Sequence, residues 1–281
     1  YPTLKRYLEY TATKSSGGLV SHGLGDWGNP ENALARENIE TAFLYADTIT
    51  LEKFAKHLGR ENDASLLHAF AEEVKDNYNE RLLSYHEGLG LWCYRLVAED
   101  AAPTQAAQAL PLFWGMVPEE HAADVVCALR TILEEKDALI AGEIGLPYVI
   151  QAARRYGMNG LICHFITKTT HPSYYAFIRD GETTLGEYWE TNPRSHCHDM
   201  MGHIIEWYYS GLAGIIPLTP GFKKAMIRPF LPESMNHLKA GYKTPYGEIC
   251  VEMNRMQDGK VRLEINAPET ILYKVDRSRI E

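Results

Sequence analysis

The sequence predicts a mainly α-helical protein that ends in a small antiparallel β domain. From about residue 37 to residue 212, apolar side chains recur at three- and four-residue spacing, which is the spacing of one helix face. After about Ile215 they recur at every second position, as in half-buried strands. Because the helical segments follow one another without strands between them, we expect α-hairpins that pack side by side.

Two long helices open the helical region. The first covers Glu37–Leu58 and is followed by Gly59, a residue that adopts the left-handed backbone of a helix end without steric cost. Its apolar stripe consists of Ile39, Ala42, Phe43, Ala46, Ile49, Phe54 and Leu58. The second helix follows at once, with a stripe of Ala64, Leu67, Phe70, Ala71, Val74, Tyr78 and Leu82. Further helices are predicted near residues 105–114, 118–133, 146–156, 161–168 and 200–212.

Three strands are predicted after the helices. Residues 249–254 and 261–267 alternate apolar and polar side chains, and Asp258-Gly259 between them has the sequence of a hairpin turn. Residues 271–275 form the third strand. Prolines and a glycine interrupt any helix within residues 215–221, so we expect the domain boundary in this stretch.

The composition excludes several classes of protein. The 281 residues are 45% hydrophobic and 23% charged, as in an ordinary soluble globular chain. The net charge of −9 gives no electrostatic support for binding nucleic acid, and no apolar run approaches the roughly 18 to 20 residues that cross a membrane. The five cysteines are odd in number and form no CxxC pair, so neither a disulfide framework nor a zinc site is indicated. We expect a soluble protein, in the cytoplasm or the periplasm.

Two loops carry residues that suit carbohydrate chemistry. Residues 21–30 place several glycines around Asp26 and Trp27, which lets backbone and ring approach a ligand; the alternative is a connector whose Trp27 fills the core. Residues 181–190 combine three acidic side chains with two aromatic ones, just before a predicted turn at Asn192-Pro193. A glycosidase needs carboxylates to move protons and rings to bind the apolar face of a sugar, whereas the alternative is a solvated acidic turn.

A third segment, residues 196–199, contains two histidines and an aspartate, with His203 close behind. These side chains can bind metal, but no second cluster stands at zinc-ligand spacing, so we expect no metal site. The sequence also lacks the GxSxG, P-loop, HExxH and dinucleotide-binding GxGxxG motifs.

Several short motifs, in the same order along essentially the whole chain, resemble the bacterial α-L-rhamnosidases of glycoside hydrolase family 78. They comprise Gly25-Asp26-Trp27, Thr104-Gln105 with Gln108-Ala109-Leu110, Ala141-Gly142-Glu143-Ile144-Gly145-Leu146-Pro147-Tyr148, His171-Pro172-Ser173-Tyr174, residues 181–189, Ala213-Gly214-Ile215 with Pro220-Gly221-Phe222, and Thr244-Pro245-Tyr246-Gly247. Each motif is short, and it is their shared order that makes the resemblance specific.

The resemblance implies a fold and a division into domains. The family has an (α/α)6 barrel of the six-hairpin type followed by a small antiparallel β-sandwich, which agrees with the helices and strands read from the sequence. We therefore assign residues 1–215 to the catalytic barrel and residues 216–281 to the β-sandwich domain. The helical sequence is too short for twelve helices, so we expect the chain to contain only the C-terminal part of the barrel.

The resemblance also implies roles for individual residues. The family's Thr-Thr-x-x-Glu motif carries the carboxylate that activates water in an inverting hydrolysis, and its match is Glu187, preceded by Gly186 where the family has Trp. Trp27 would line the sugar pocket with Asp26 beside it, and Trp189 is a further candidate for substrate binding. The family's sugar-binding His aligns with His198, after Cys197 in place of Asn. His196 and His203 remain alternatives for this role.

The substrate implied is a rhamnose-containing glycan or glycoside, from which terminal L-rhamnose is released. The hydrolysis needs no cofactor, and we expect neither nucleic acid nor a membrane as a partner. The family's general acid lies upstream of the Gly-Asp-Trp motif, before this chain begins. We therefore expect that the chain by itself does not hydrolyse rhamnosides. The alternatives are another (α/α)6-barrel glycosidase, since the fold does not determine the sugar, and a sugar-binding remnant without catalysis.

Overall fold

The computed structural model of the chain describes residues 1–31, 33–97, 101–190 and 194–280, which form two compact units. The first unit comprises Tyr1–Tyr156 and Phe165–Met201, and the second comprises Gly157–His164 and the chain from Gly202 onward. Within these described ranges, no helix combines the length and apolar character required to cross a membrane. The division between residues 215 and 216 stays a prediction.

The second to seventh helices follow the sequence prediction to within a few residues. In chain order they are α1 (Pro2–Ala12), α2 (Arg36–His57), α3 (Glu61–Leu82), α4 (Gln105–Trp114), α5 (Ala122–Lys136), α6 (Leu146–Arg155), α7 (Asn159–Thr167), α8 (Tyr174–Arg179) and α9 (Ile204–Trp207). Gly59 has the expected positive φ of 68° just beyond α2. A short 3₁₀ turn, Glu119–His121, precedes α5 and accounts for its earlier predicted start.

Sequence analysis missed the short elements of the first unit. Besides α1 and α8, these are two small antiparallel hairpins, β1 (Ser15–Ser16) with β2 (Leu19–Val20) and β3 (Leu83–His86) with β4 (Leu91–Tyr94). Strands of two to four residues are too short for an alternating pattern to stand out from the helices beside them.

The helices of the first unit pack as neighbouring pairs around a buried core. Helix α2 lies against α3, and α4 contacts both α5 and α6. Among the largest buried side chains of this core are Tyr78, Tyr94, Phe165, Ile39, Leu82 and Leu110. The predicted stripe of α3 is confirmed, with Phe70 half-buried.

The predicted stripe of α2 is wrong at its C-terminal end. Phe54 and Leu58 are 45% and 55% exposed, whereas Leu51 and Ala55 are buried. The first half of α2 is buried on most of its circumference, so the helix has no single apolar face that spacing alone could identify. Phe54 instead lines a groove of about 140 Å³ between α1 and α2.

Side chains of the Thr-Gln-x-x-Gln segment join α4 to its neighbours. The Thr104 hydroxyl accepts a hydrogen bond from the Ala107 amide at 3.2 Å and caps the helix. The Gln108 side chain pairs with both the amide and the carbonyl of Tyr94 in β4, each at 2.8 Å. Gln105 donates to the Ala138 carbonyl and accepts from the Ile140 amide. These buried amides satisfy backbone groups that would otherwise lack partners, so the motif serves the fold.

The single helix predicted over residues 200–212 is wrong. The chain forms a 3₁₀ turn at Asp199–Met201, then α9, and then a π-helical turn at Tyr208–Leu212. The Trp207 indole lies over Gly211, where an added Cβ would be 2.2 Å from its Nε1 atom. That nitrogen donates to Asn159 Oδ1 at 3.0 Å, so the wider turn accommodates a buried ring that a regular helix would displace.

The second unit contains a β-sandwich of two three-stranded sheets. Its strands are β5 (Ile215–Pro217), β6 (Lys224–Ile227), β7 (His237–Thr244), β8 (Gly247–Arg255), β9 (Val261–Asn266) and β10 (Leu272–Val275). The sheets have the orders β10-β6-β5 and β7-β8-β9, and only the β10–β6 pair among them is parallel. Buried residues of both sheets form one core: Ala213, Ile215, Ala225, Ile227, Ile249, Val251 and Ile271.

The predicted hairpin and its turn are confirmed. Strand β8 pairs antiparallel with β9, and Gly259 between them has a φ of 85°. Strands β5, β6 and β7 were missed. In β7 the half-buried positions do alternate, but lysines and a glycine stand between them, and the pattern is too weakly apolar to distinguish a strand from a loop.

Candidate active site

The Asp26 carboxylate organises the first of the predicted site loops. It is completely buried, and its two oxygens accept hydrogen bonds from the Gly142 amide at 2.8 Å and the Gly145 amide at 2.7 Å. The Asn29 side-chain amide donates to it at 3.3 Å. Burial raises the pKa of Asp26 to about 6, although these three hydrogen bonds act in the opposite direction. The carboxylate therefore ties the loop around Trp27 to the loop of residues 141–145.

This burial bears on the role expected for Asp26. The carboxylate has no exposed surface, and both of its oxygens are already bonded to backbone amides. The contact of Asp26 with substrate stays a prediction, and what the structure shows is a carboxylate bonded to the loop that lies against the Trp27 backbone. The Trp27 side chain itself is half-buried.

Gly142 and Gly145 allow the two loops to approach each other closely. A Cβ atom on Gly142 would lie 2.2 Å from the Trp27 carbonyl oxygen and 2.4 Å from that of Asp26. One on Gly145 would lie 2.5 Å from the Cβ of Ala106. Between these glycines, the Glu143 amide donates to the Trp27 carbonyl at 2.7 Å. Any larger residue at either glycine would separate the loops.

Glu187 lies on the second predicted loop, which is held by the segment that follows it. Its amide donates to the Ser195 carbonyl at 3.1 Å, and the His198 amide donates to the Leu185 carbonyl at 3.0 Å. The Glu187 side chain is only 9% exposed, and its Oε2 atom lies 3.7 Å from the Arg194 guanidinium. The predicted turn at Asn192-Pro193 lies outside the described residues.

The two loops meet at Gly28. A Cβ atom on this glycine would lie 2.9 Å from the Met200 sulfur and 3.7 Å from the Glu187 carbonyl oxygen. A cavity of about 230 Å³ opens beside this contact, lined by Gly28, Asn29, Pro30, Tyr188, Trp189 and Glu190. The structure thus brings the Gly-Asp-Trp loop and the Thr-Thr-x-x-Glu loop together, although more than 150 residues separate them in the sequence.

Trp189 forms a wall of this cavity from a largely buried position. It is 6% exposed and packs edge-on against Tyr174 and nearly parallel to Phe177, at ring-centre distances of 5.1 Å and 6.2 Å. In the described part of the chain its indole Nε1 has no hydrogen-bond partner. Its contribution to substrate binding stays a prediction, with only a small part of the ring open to a ligand.

Of the three candidate histidines, His198 lies beside the Gly142–Gly145 loop. Its Nδ1 accepts a hydrogen bond from the Met200 amide at 3.2 Å, and its side chain is 24% exposed. His196 is more exposed, and its Nδ1 lies 3.8 Å from Glu182. His203 is exposed at the start of α9 in the second unit.

Glu143 is a candidate site residue that sequence reasoning missed. One carboxylate oxygen of Glu143, one ring nitrogen of His198 and one carboxylate oxygen of Asp199 lie within 4.8 Å of one another. Glu143 was quoted only as part of a family motif. The available signal was its position between two closely spaced glycines, because a charged side chain in such a tight loop is displayed in a fixed direction.

The structure thus places the largely buried Glu187 on the same loop as Tyr188 and Trp189, in a unit built from neighbouring helices. The family model of the bacterial α-L-rhamnosidase six-hairpin glycosidase domain matches residues 1–212, and that of the bacterial α-L-rhamnosidase C-terminal domain matches residues 214–276. The chain belongs to the bacterial α-L-rhamnosidase family. The predicted fold class, a six-hairpin helical domain followed by a β domain, is confirmed.

Curated proteins with similar sequences are named α-L-rhamnosidases. An α-L-rhamnosidase of Alteromonas sp. (strain LOR) is 27% identical over 92% of this chain and 30% of its own length. One from Formosa agariphila is 25% identical over 98% of this chain and 31% of its own length. The chain therefore spans about 30% of the length of the curated relatives that it matches.

Solved structures of the same family are similar throughout the chain. The α-L-rhamnosidase from Dictyoglumus thermophilum superposes with a TM-score of 0.87 at 26% identity, covering 98% of this chain and 31% of that protein. The Streptomyces avermitilis α-L-rhamnosidase complexed with L-rhamnose gives a TM-score of 0.84, covering 98% of this chain and 26% of that protein. Its identity of 22% supports the fold alone.

Proposed function

We propose that the natural protein containing this chain is an inverting α-L-rhamnosidase that releases terminal L-rhamnose from glycans or glycosides. The observation that carries the proposal is the meeting of the Trp27 loop and the Glu187 loop at Gly28, beside a cavity of about 230 Å³. Membership of the bacterial α-L-rhamnosidase family supports it, as do the α-L-rhamnosidases of Alteromonas sp. and Formosa agariphila with 27% and 25% identity.

Glu187 is the proposed general base. Inverting hydrolysis requires one carboxylate to take a proton from water and a second, protonated group to deliver a proton to the leaving oxygen. The two carboxyl groups stand roughly 6.5 to 9.5 Å apart, which leaves room for the water between them and the sugar. The backbone bond from Glu187 to Ser195 fixes the loop, and burial of the side chain next to Arg194 restricts the carboxylate, as the action of a base on a single water requires.

Trp27 is the proposed platform for the sugar. L-Rhamnose has a C6 methyl group and ring hydrogens that together form an apolar patch, and such a patch binds well against an indole face. The Trp27 backbone is fixed twice, by the Asp26 carboxylate on one side and by the Glu143 amide on the other. Fixing the loop in advance reduces the entropy lost when the sugar binds.

The test is hydrolysis of an aryl α-L-rhamnoside by the natural protein, with the anomer of the first product followed by proton NMR. Release of β-L-rhamnose before mutarotation supports an inverting rhamnosidase. Release of the α-anomer would contradict the inverting mechanism. Hydrolysis of other aryl glycosides in preference would indicate another glycosidase of this fold, and L-rhamnose binding without any hydrolysis would indicate a sugar-binding protein.

A further inference from the structure

Glu143 and His198 lie close together, and among the described residues neither the Glu143 carboxylate nor the His198 Nε2 has a hydrogen-bond partner. The Glu143 carboxylate has neither an ion pair nor a hydrogen bond within the ranges that the structure describes, although its backbone is firmly held. His198 accepts the Met200 amide at Nδ1, which leaves the proton of the neutral imidazole on Nε2. Both side chains are only partly exposed.

The two side chains are close enough for one hydroxyl to bridge them. One carboxylate oxygen of Glu143 and one ring nitrogen of His198 lie no more than 4.8 Å apart, and no hydrogen bond joins the two side chains in the described structure. Two groups that each bond to the same hydroxyl oxygen at about 2.8 Å, with a tetrahedral angle between them, stand about 4.6 Å apart. A sugar hydroxyl can donate to a carboxylate and accept from an imidazole N–H at the same time.

We propose that Glu143 is a specificity-determining residue that accepts a hydrogen bond from one ring hydroxyl of the substrate sugar, next to His198. The inference rests on the proposed function, because it assigns this hydroxyl to L-rhamnose in the same site. The bonds of Asp26 to Gly142 and Gly145 on either side of Glu143 position its backbone, so the carboxylate stands ready before the sugar arrives.

Asp199 is the third member of this cluster, but we do not assign it a contact with the sugar. Its side chain is 97% exposed, so water competes for its oxygens and screens its charge. Glu143, by contrast, sits in a loop that contacts the Trp27 backbone directly. The sugar contact is therefore assigned to Glu143 rather than to the neighbouring aspartate.

The experiment measures sugar binding by calorimetry in the natural protein, for the wild type, Glu143→Gln and the matched control Glu135→Gln on the exposed side of α5. The ligands are L-rhamnose and its 2-, 3- and 4-deoxy derivatives. Glu143→Gln keeps the shape of the side chain but removes the charge, and we expect its Kd for L-rhamnose to rise about 10- to 100-fold. Glu135→Gln should bind like the wild type.

The deoxy sugars distinguish a contact from a general disturbance of the site. Relative to L-rhamnose, the derivative that lacks the hydroxyl contacted by Glu143 should bind the wild type more weakly, and most of this difference in affinity should disappear in Glu143→Gln. The other two derivatives should show the same difference in affinity in both proteins. If every deoxy derivative loses the same affinity in both proteins, the inference is overturned. It is also overturned if the wild type no longer binds L-rhamnose in EDTA, because that would show a metal-mediated contact. A protein that binds L-rhamnose in this pattern but does not hydrolyse rhamnosides would refute the proposed function alone.

Discussion

At the scale of single residues, a substitution of Glu187, the proposed general base, should affect catalysis and sugar binding differently. Replacing it with Gln keeps the size of the side chain but removes the base, so kcat for an aryl α-L-rhamnoside should fall about 10²- to 10⁴-fold. Sugar affinity should change little, because the same loop contacts remain. Steady-state kinetics and calorimetry on the natural protein measure the two effects independently.

Glu135→Gln serves as the control for Glu187→Gln, since it removes an exposed carboxylate from α5 and should leave kcat unchanged. If Glu187→Gln retains near wild-type turnover, the base has been assigned to the wrong residue. Glu182 and Glu190, on the same loop, would then be the next candidates.

Asp26 should make stability depend on pH in a defined window. Its pKa is about 6 in the folded protein and 3.8 when unperturbed, so between these values the folded state holds more protons than the unfolded chain. The free energy of unfolding should therefore fall as pH rises through this window, by up to about 3 kcal/mol over roughly two pH units. Above about pH 6.5 the contribution should be constant.

Urea unfolding of the wild type and Asp26→Asn between pH 4 and pH 7.5 tests this dependence, because the other titrating groups cancel in the difference between the two proteins. The wild type should lose stability relative to the variant as pH rises from 4 to 6. A difference that stays flat, or that grows in favour of the wild type, would contradict the pKa of the buried carboxylate.

At the scale of structural elements, the contact between the Trp27 loop and the Gly142–Gly145 loop depends on the absence of side chains. Gly142→Ala would place a methyl carbon 2.2 Å and 2.4 Å from two backbone carbonyl oxygens, well inside van der Waals contact, so the loops must separate. We expect a loss of about 1 to 3 kcal/mol in stability and at least roughly tenfold weaker L-rhamnose binding.

Gly160→Ala is the matched control for Gly142→Ala. Gly160 lies in α7, where no atom would come within 4 Å of an added Cβ, so alanine should be neutral or up to about 1 kcal/mol stabilising. Thermal unfolding and calorimetry on both variants make the comparison. Equal effects of the two alanines would show that the close loop contact is unimportant.

The sequence predicted the elements with strong periodicity and missed those held by tertiary contacts. Helix α3 was found because its buried residues repeat at helical spacing, and β8 and β9 were found because their residues alternate around Asp258-Gly259. Helix α2 is buried on most sides, so its true contacts could not be derived from one stripe. The short hairpins depend on partners such as Gln108, which a local pattern does not reveal.

In the candidate site, too, local motifs could be predicted from the sequence and tertiary contacts could not. Family motifs pointed to Glu187 and Trp27, and the structure brings their loops together at Gly28. The burial of Asp26 could not be predicted, because the amides that bind it belong to residues more than 110 positions away. Glu143 was missed for the same reason, since its neighbour His198 is distant in the sequence.

At the scale of the whole molecule, the β domain has its own hydrophobic core, and Ile249 lies at its centre. Ile249 is completely buried between the two sheets, so Ile249→Ala should cost about 2 to 5 kcal/mol through lost burial and the cavity that remains. Ile205→Ala in the same unit removes a side chain that is 58% exposed and should change stability by less than about 0.5 kcal/mol. Urea unfolding followed by circular dichroism measures both, and comparable losses would place the core elsewhere.

The order of strands in the β-sandwich also affects how the β domain folds during translation. Strand β10 pairs with β6, although the whole of β7–β9 lies between them in the chain. Because a ribosome releases the chain from its N-terminus, β6 emerges well before its neighbour and presents a row of unpaired amides and carbonyls during that interval. A nascent chain is therefore most open to association with other nascent chains between the emergence of β6 from the ribosome and the emergence of β10, and chaperones that cover strand edges should matter most at that stage.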